Sequence, residues 1–101
     1  MTNIVSVSEA KQYMRIDYSE EDTTIESLLN TAQVLCRDVA RLSSEDWENI
    51  AGLIDTEQYS QLKTAVLYTL AYLFEHREEA DHHELTLTLR SLLFSMREGV
   101  L

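Results

Sequence analysis

The sequence predicts an all-α fold, a small bundle of about four to five helices with a long, buried central helix. The chain has no proline and only two glycines, Gly52 and Gly99, so it contains few helix breakers. Apolar residues recur at helical spacing over most of its length, and residues 62–78 form a nearly all-apolar helical run. A chain of 101 residues supports one hydrophobic core, which predicts a single domain over residues 1–101.

The first helix is predicted to begin at Ser6 and to fade near Ile16. Ser6 and Glu9 stand three residues apart, the capping-box spacing in which each side chain accepts a hydrogen bond from a free amide at the helix start. Ala10, Tyr13 and Met14 then fall on one face of this helix.

The second helix is predicted to follow Ser19, its expected N-cap, with acidic residues in the first turn, where the helix dipole favours negative charge. Its apolar stripe consists of Ile25, Leu28, Leu29, Ala32, Leu35, Cys36, Val39 and Ala40. The opposite, polar side consists of Thr24, Glu26, Asn30, Thr31, Gln33, Arg37 and Asp38. Cys36 lies within the stripe, which favours a core residue over a reactive thiol.

The pattern is weakest between Leu42 and Thr56. Ser43 or Ser44 could cap a short helix that carries Trp47, although a hairpin without a recognisable turn dipeptide remains an alternative.

Asp55 and Gln58 form a candidate capping pair for the long central helix, which is predicted to run to about Glu79. Its apolar run is too short for a membrane span and carries Lys63 near its start, so the helix is expected to be surrounded by protein. That expectation requires either a bundle wrapped around the helix or a partner subunit.

A polar loop is predicted over residues 78–84, followed by a last element from Leu85 to Arg97. Leu85, Leu89 and Leu92 have helical spacing, but the alternation of threonine and leucine at its start leaves an extended segment as an alternative.

No catalytic, cofactor-binding or metal-binding residues are predicted. His82 and His83 are adjacent, so on a helix their side chains would point about 100° apart and rarely bind one ion. The chain has no glycine-rich phosphate loop, no nucleophile turn and no calcium-binding loop pattern. A metal-dependent helical enzyme would require His76, His82 and His83 to converge, and the chain is predicted not to be an enzyme.

The net charge is −10, from 18 acidic and 8 basic residues, so the chain has few cations with which to bind phosphates. The acidic surface could serve solubility, repel DNA, or mimic DNA as a regulator of a nucleic-acid-binding protein. The lone cysteine and the absence of signal-peptide features at the start favour a cytosolic product.

Four segments together resemble the phage head–tail connector (head-completion adaptor) family. Residues 6–17 read S-V-S-E-A-K-Q-Y-M-R-I-D, close to the family's opening S/T-L-x-E-A-K-x-Y-L-R-I-D. Residues 21–32 combine an acidic cap with the family's I-x-x-L-L-x-x-A helix. Residues 62–78 are similar to its central helix, with His76 where asparagine is usual, and residues 92–97 match its L-L-x-x-x-R helix.

The resemblance implies a non-enzymatic virion protein, assembled in the host cytoplasm, that forms a ring, usually twelve-fold, beneath the portal. Such a ring extends the DNA channel and presents a surface to a tail-side stopper or tail-completion protein, and DNA passes without specific binding. No cofactor and no membrane are expected. The expected subunit or portal interface is Tyr68, Tyr72, Phe74, Glu75, His76 and Arg77. The expected channel-facing acids are Asp17, Glu20, Glu21, Asp22, Glu78 and Glu79.

Overall fold

A computed structural model describes residues 1–78, 82–94 and 96 of the chain. Within these ranges the chain forms five helices and no strand, which confirms the all-α prediction. The helices are α1 (Val7–Met14), α2 (Asp22–Val39), α3 (Ser44–Ala51), α4 (Glu57–Glu75) and α5 (His83–Leu92).

Two helices begin with capping boxes, of which the one at α1 was predicted and the one at α3 was foreseen only as a cap by Ser43 or Ser44. At α1, Ser6 Oγ accepts a hydrogen bond from the Glu9 amide and the Glu9 carboxylate accepts one from the Ser6 amide, both at 3.1 Å. At α3, Ser43 and Asp46 make the same reciprocal pair. The region of weakest sequence pattern is therefore a helix capped by Ser43, and the hairpin alternative is wrong.

Two other helix starts differ from the prediction. Helix α2 begins at Asp22 after Glu21, and no side chain caps it, so Ser19 is not its N-cap. Ser19 instead lies in the preceding turn, where its carbonyl accepts a hydrogen bond from the Asp22 amide. Helix α4 is capped by Thr56, whose hydroxyl accepts from the Tyr59 amide at 3.2 Å. The predicted Asp55–Gln58 pair was thus one residue too early.

The ends of the last two helices also need correction. Helix α4 ends at Glu75 and a turn follows through Glu78, so it is shorter than predicted. Helix α5 is helical from His83, which rules out an extended start. Residues 79–81, within the predicted loop, and Arg97, the predicted end of the last element, lie outside the described residues.

Helix α4 is the central helix and contacts each of the other four helices, most extensively α2. Its inner face is buried and consists of Leu62, Ala65, Val66, Thr69, Leu70 and Leu73. Its outer face is not covered within one subunit, because Thr64 and Tyr68 are exposed. The other helices therefore cover only one side of α4, whereas the sequence predicted that protein would surround it on all sides.

The stripe of α2 packs against α4 as predicted, with Ile25, Leu29, Ala32, Cys36 and Ala40 buried and Leu28, Leu35 and Val39 half-buried. Gln33, predicted to lie on the polar side of α2, is instead fully buried. Its side-chain oxygen accepts a hydrogen bond from the Ile4 amide at 2.8 Å, and its nitrogen donates to Asn3 Oδ1 at 2.9 Å.

The segment before α1 is held against the bundle along its length. Ile4 and Val5 are buried, and the Trp47 indole nitrogen donates to the Thr2 carbonyl at 2.7 Å. The Tyr59 hydroxyl donates to the Ile4 carbonyl at 3.2 Å. These bonds join the N-terminal segment to α2, α3 and α4, so it forms part of the core. Within the described ranges no helix is long and apolar enough to cross a bilayer.

Candidate interaction surface

A groove of about 540 Å³ opens between the end of α1 and the last two turns of α4. It is lined by Tyr13, Met14, Arg15, Ile16, Tyr68, Ala71, Tyr72, Phe74 and Glu75. The two helices meet here because Ala10 of α1 is buried against the bundle, which places the next turn of α1 beside α4. We call this feature the aromatic groove.

The walls of the aromatic groove are rich in aromatic side chains and accessible, with charged groups from Arg15 and Glu75. Tyr13 is 51% exposed and Tyr68 is 37% exposed, although both are large aromatic side chains. Tyr72 and Phe74 are half-buried beside them. Large exposed aromatics around a concave surface are typical of sites that bind another protein.

Arg15 provides positive charge at the edge of the aromatic groove. It ends α1 with φ at 59°, in the left-handed region, and its backbone amide donates to the Gln12 carbonyl. This conformation costs a non-glycine residue about 1 kcal/mol. The Arg15 side chain is exposed, and no carboxylate in the described part of the chain pairs with it.

Arg77, in the turn after α4, forms an ion pair with Glu21, in the segment between α1 and α2. Its guanidinium lies over the Phe74 ring, 4.5 Å from the centroid, and donates to Glu21 Oε1 at 2.7 Å. The other oxygen of Glu21 accepts from the Tyr18 hydroxyl at 3.3 Å. Desolvation and then the Glu21 carboxylate raise the pKa of Tyr18 above its usual value, so it remains a neutral donor at pH 7.

His76 is the C-cap residue of α4, and its side chain contacts Tyr72 of the same helix. Its ring stacks on Tyr72 with centroids 4.1 Å apart, and its Nδ1 lies 2.9 Å from the Tyr72 carbonyl oxygen. His82 approaches the same tyrosine ring edge-on at 5.9 Å. In the described ranges no three histidine, cysteine or acidic side chains are placed to hold one metal ion.

The two predicted acidic regions meet at one end of the bundle, because the Arg77–Glu21 ion pair joins them. Asp22 is also paired, with Lys11 at 2.8 Å. Asp17, Glu20 and Glu78 are exposed there, whereas Glu79 lies outside the described residues. We call this feature the acidic end.

The structure thus brings together four of the six predicted interface residues, Tyr68, Tyr72, Phe74 and Glu75, in the aromatic groove. His76 and Arg77 lie beside it and bind within the subunit. The contribution of α1 was missed, because Tyr13, predicted to share a face with Ala10 and Met14, is instead exposed at the groove while Ala10 is buried. The only signal in the sequence was weak: Tyr13 and Arg15 lie close together at the end of α1, and tyrosine and arginine are common at protein interfaces.

A small helical bundle with an exposed aromatic groove and an acidic end is typical of a protein that acts by binding other proteins. The family model described as phage gp6-like head-tail connector protein matches residues 4–99, and the chain belongs to this family. The resemblance drawn from the sequence is therefore confirmed. The family is structural rather than enzymatic, and its members are components of the virion. Neither the curated proteins nor the solved structures contain a match to the chain.

Proposed function

We propose that the chain forms a ring beneath the portal, extends the DNA channel and presents a docking surface to a tail-side stopper or tail-completion protein. The observation that carries this proposal is the family match over almost the whole chain, residues 4–99. The exposed outer face of α4 supports it, since a central helix with uncovered aromatic residues suits contacts between subunits.

The aromatic groove is the proposed contact surface of the ring. Tyr68, Tyr72 and Phe74 supply apolar area, and Glu75 lies at the edge. His76 and Arg77 hold the end of α4 in the shape that presents these rings, through the Tyr72 stack and the Phe74 contact. A pre-ordered surface loses less conformational entropy on binding.

The acidic end is the proposed lining of the channel. Asp17, Glu20 and Glu78 are exposed, and a ring would repeat them in every subunit. Carboxylates repel the phosphate backbone, which allows DNA to pass without being held. Glu21 and Asp22, already paired with Arg77 and Lys11, would contribute less to this field.

The alternative of a DNA-mimicking regulator requires carboxylates spaced along an exposed face like phosphates. The acidic end gathers its carboxylates in one place, and two of them are in ion pairs. This distribution favours a channel lining over a DNA mimic.

The decisive experiment is the solution mass of the purified protein, by light scattering after size exclusion, with and without portal protein. Twelve copies of the 11.7 kDa chain would give a ring of about 140 kDa. A ring-sized species, alone or bound to the portal, is the expected result. A monomer in both conditions would refute the proposal and favour a search for a basic host partner.

The channel proposal has a separate test in the assembled protein. Asp17→Lys/Glu20→Lys should make the ring retain DNA at low salt, because the exposed repelling charges become attractive. Asp38→Lys/Glu45→Lys changes the net charge equally at exposed positions, in the last turn of α2 and the first turn of α3, and serves as the control away from the acidic end. Equal DNA retention by both variants would show that total charge, not the acidic end, governs passage.

A further inference from the structure

We propose that neighbouring copies join by inserting the turn between α3 and α4 of one subunit into the aromatic groove of the next. This inference rests on the proposed ring and identifies the two surfaces that would form it. The inserted segment is Leu53, Ile54 and Asp55, which we call the apolar tip.

The apolar tip is unusual because it exposes two consecutive large aliphatic side chains. Leu53 is 54% exposed and Ile54 is 65% exposed, the largest exposed fraction among the large hydrophobic residues in the described ranges. Both lie in the connection between α3 and α4; Leu53 also lines a depression with Ile50, and Ile54 is the more exposed of the two. A pair of adjacent exposed aliphatic side chains gains free energy when a partner covers it.

The aromatic groove complements the apolar tip in shape and polarity. Its volume of about 540 Å³ leaves room for two aliphatic side chains between Tyr13 and Tyr68. The groove is concave and its lining is in the larger part apolar, whereas the tip is convex and exposes two aliphatic side chains. One chain therefore carries both halves of a possible contact.

One charge pair also matches, since the groove edge carries Arg15 as well as Glu75 and the tip carries an acid that Arg15 can bind. Arg15 at the groove has no carboxylate partner in the described part of the chain, and Asp55 follows Ile54 directly. Asp55 is exposed and Glu57 lies two residues further on, so the charged residues nearest in sequence after Ile54 are acidic. Insertion of the tip would give Arg15 a carboxylate partner, and a guanidinium–carboxylate pair at an interface fixes its register.

The two surfaces lie towards opposite ends of α4. The tip precedes Glu57, and Ala71 in the groove is fourteen residues along the helix, a rise of about 21 Å. One copy could therefore bind two neighbours at once, one through each surface. Such head-to-tail contacts close into a ring when the rotation between subunits permits it.

Cysteine crosslinking tests this pairing directly. The variant Ile54→Cys/Ala71→Cys places one thiol on the tip and one in the groove, so oxidation should give a ladder of covalent oligomers. Each single variant should give dimers at most, and a mixture of the two single variants should give a dimer linked from 54 to 71. Cys36 is buried with its pKa raised to about 11, so the native thiol should stay out of the reaction at pH 8.

A charge exchange provides the second test. Arg15→Glu and Asp55→Arg should each weaken association roughly tenfold, and the combined variant should restore it. Arg41→Glu is a matched control, since Arg41 is also exposed and also has a positive φ, 57°. Its association should equal that of the wild type.

When both experiments are also done with portal rings present, their outcomes distinguish a failure of the tip-in-groove contact from a failure of ring formation itself. A ring-sized mass without a 54–71 crosslink would overturn the tip-in-groove contact and leave the ring intact. A monomer under all conditions, with no crosslink, would overturn both. Charge variants that fail to compensate one another would also contradict the Arg15–Asp55 pairing.

Discussion

Gln33 shows how a single side chain joins the N-terminal segment to the bundle. It is fully buried in α2, yet both its amide oxygen and its amide nitrogen have partners, the Ile4 amide and the Asn3 side chain. A buried polar group is tolerated only when its hydrogen bonds are made. The helical pattern of α2 could not reveal this, because glutamine on a helix is ordinarily exposed and its partners lie about thirty residues earlier in the chain.

Gln33→Leu should lower the free energy of unfolding by about 1–3 kcal/mol, because the buried Ile4 amide would lose its acceptor. Urea unfolding followed by circular dichroism measures this loss. Gln12→Leu, at an exposed position of α1, should change stability by no more than about 0.5 kcal/mol. Equal midpoints for the Gln33 variant and the wild type would mean that the hydrogen bonds of Gln33 add nothing to stability.

Cys36 should be nearly unreactive in the folded protein. Burial raises its pKa to about 11, and a hydrogen-bonding contact with Thr69 Oγ1 at 3.5 Å offsets only part of that rise. At pH 8 about 0.1% of the thiol would then be ionised. An aromatic disulfide reagent should react slowly with native protein and rapidly in urea. Equal rates in the two conditions would show that this part of the core opens freely.

At the scale of helices, the Glu9–Lys63 ion pair connects α1 to α4. The hydrogen bond from Lys63 lowers the pKa of Glu9 below its usual value of 4.5, and the bond to Glu9 raises the pKa of Lys63 above 10.5. A lowered carboxyl pKa gives stability that is present above pH 4.5 and lost as pH falls through the folded value. A raised lysine pKa gives stability that is lost above about pH 10.5.

Glu9→Gln should therefore reduce stability near pH 7 by at most about 1 kcal/mol, since both side chains are partly exposed. The amide can still accept the Ser6 bond, so the cap of α1 should survive. Thermal unfolding from pH 3 to 7 should show a smaller loss of stability on acidification than in the wild type. Glu26→Gln, on the exposed face of α2, should keep the wild-type profile.

Helix boundaries were predictable where the chain itself carries the capping groups. The starts of α1 and α3 could be located because each N-cap serine and its partner lie within one turn: Ser6 with Glu9, and Ser43 with Asp46. The start of α2 was not predictable, because Glu21 at its N-cap is drawn instead to Arg77, more than fifty residues later. A long-range ion pair of this kind leaves no periodic pattern in the sequence.

At the scale of the whole molecule, half of the aromatic groove was predictable. Tyr68 and Tyr72 lie one turn apart on α4, and their spacing left packing in the core and contact with another chain as equal alternatives, while the family resemblance favoured an interface. Tyr13 and Arg15 belong to a different helix, and their place opposite Tyr68 follows only from the packing of α1 on α4. Sequence periodicity describes one helix at a time and does not report which helices meet.

The net charge of −10 leads to a prediction about the salt dependence of ring formation. Copies that carry this charge repel one another, and the acidic ends of neighbouring subunits would come closest in a ring. Salt shortens the screening length from about 30 Å at 0.01 M to about 8 Å at 0.15 M, whereas the apolar contact of tip and groove is not screened. The fraction of ring measured by light scattering should therefore rise with sodium chloride.

Asp17→Asn/Glu20→Gln removes two exposed charges from the acidic end and should shift the midpoint of assembly to lower salt. Asp38→Asn/Glu45→Gln, at positions exposed outside the acidic end, should have a smaller effect. Rings that dissociate as salt rises would instead mean that ion pairs such as Arg15–Asp55 dominate the contact and that burial of Leu53 and Ile54 contributes little. The sign of the salt dependence therefore decides which part of the interface supplies its free energy.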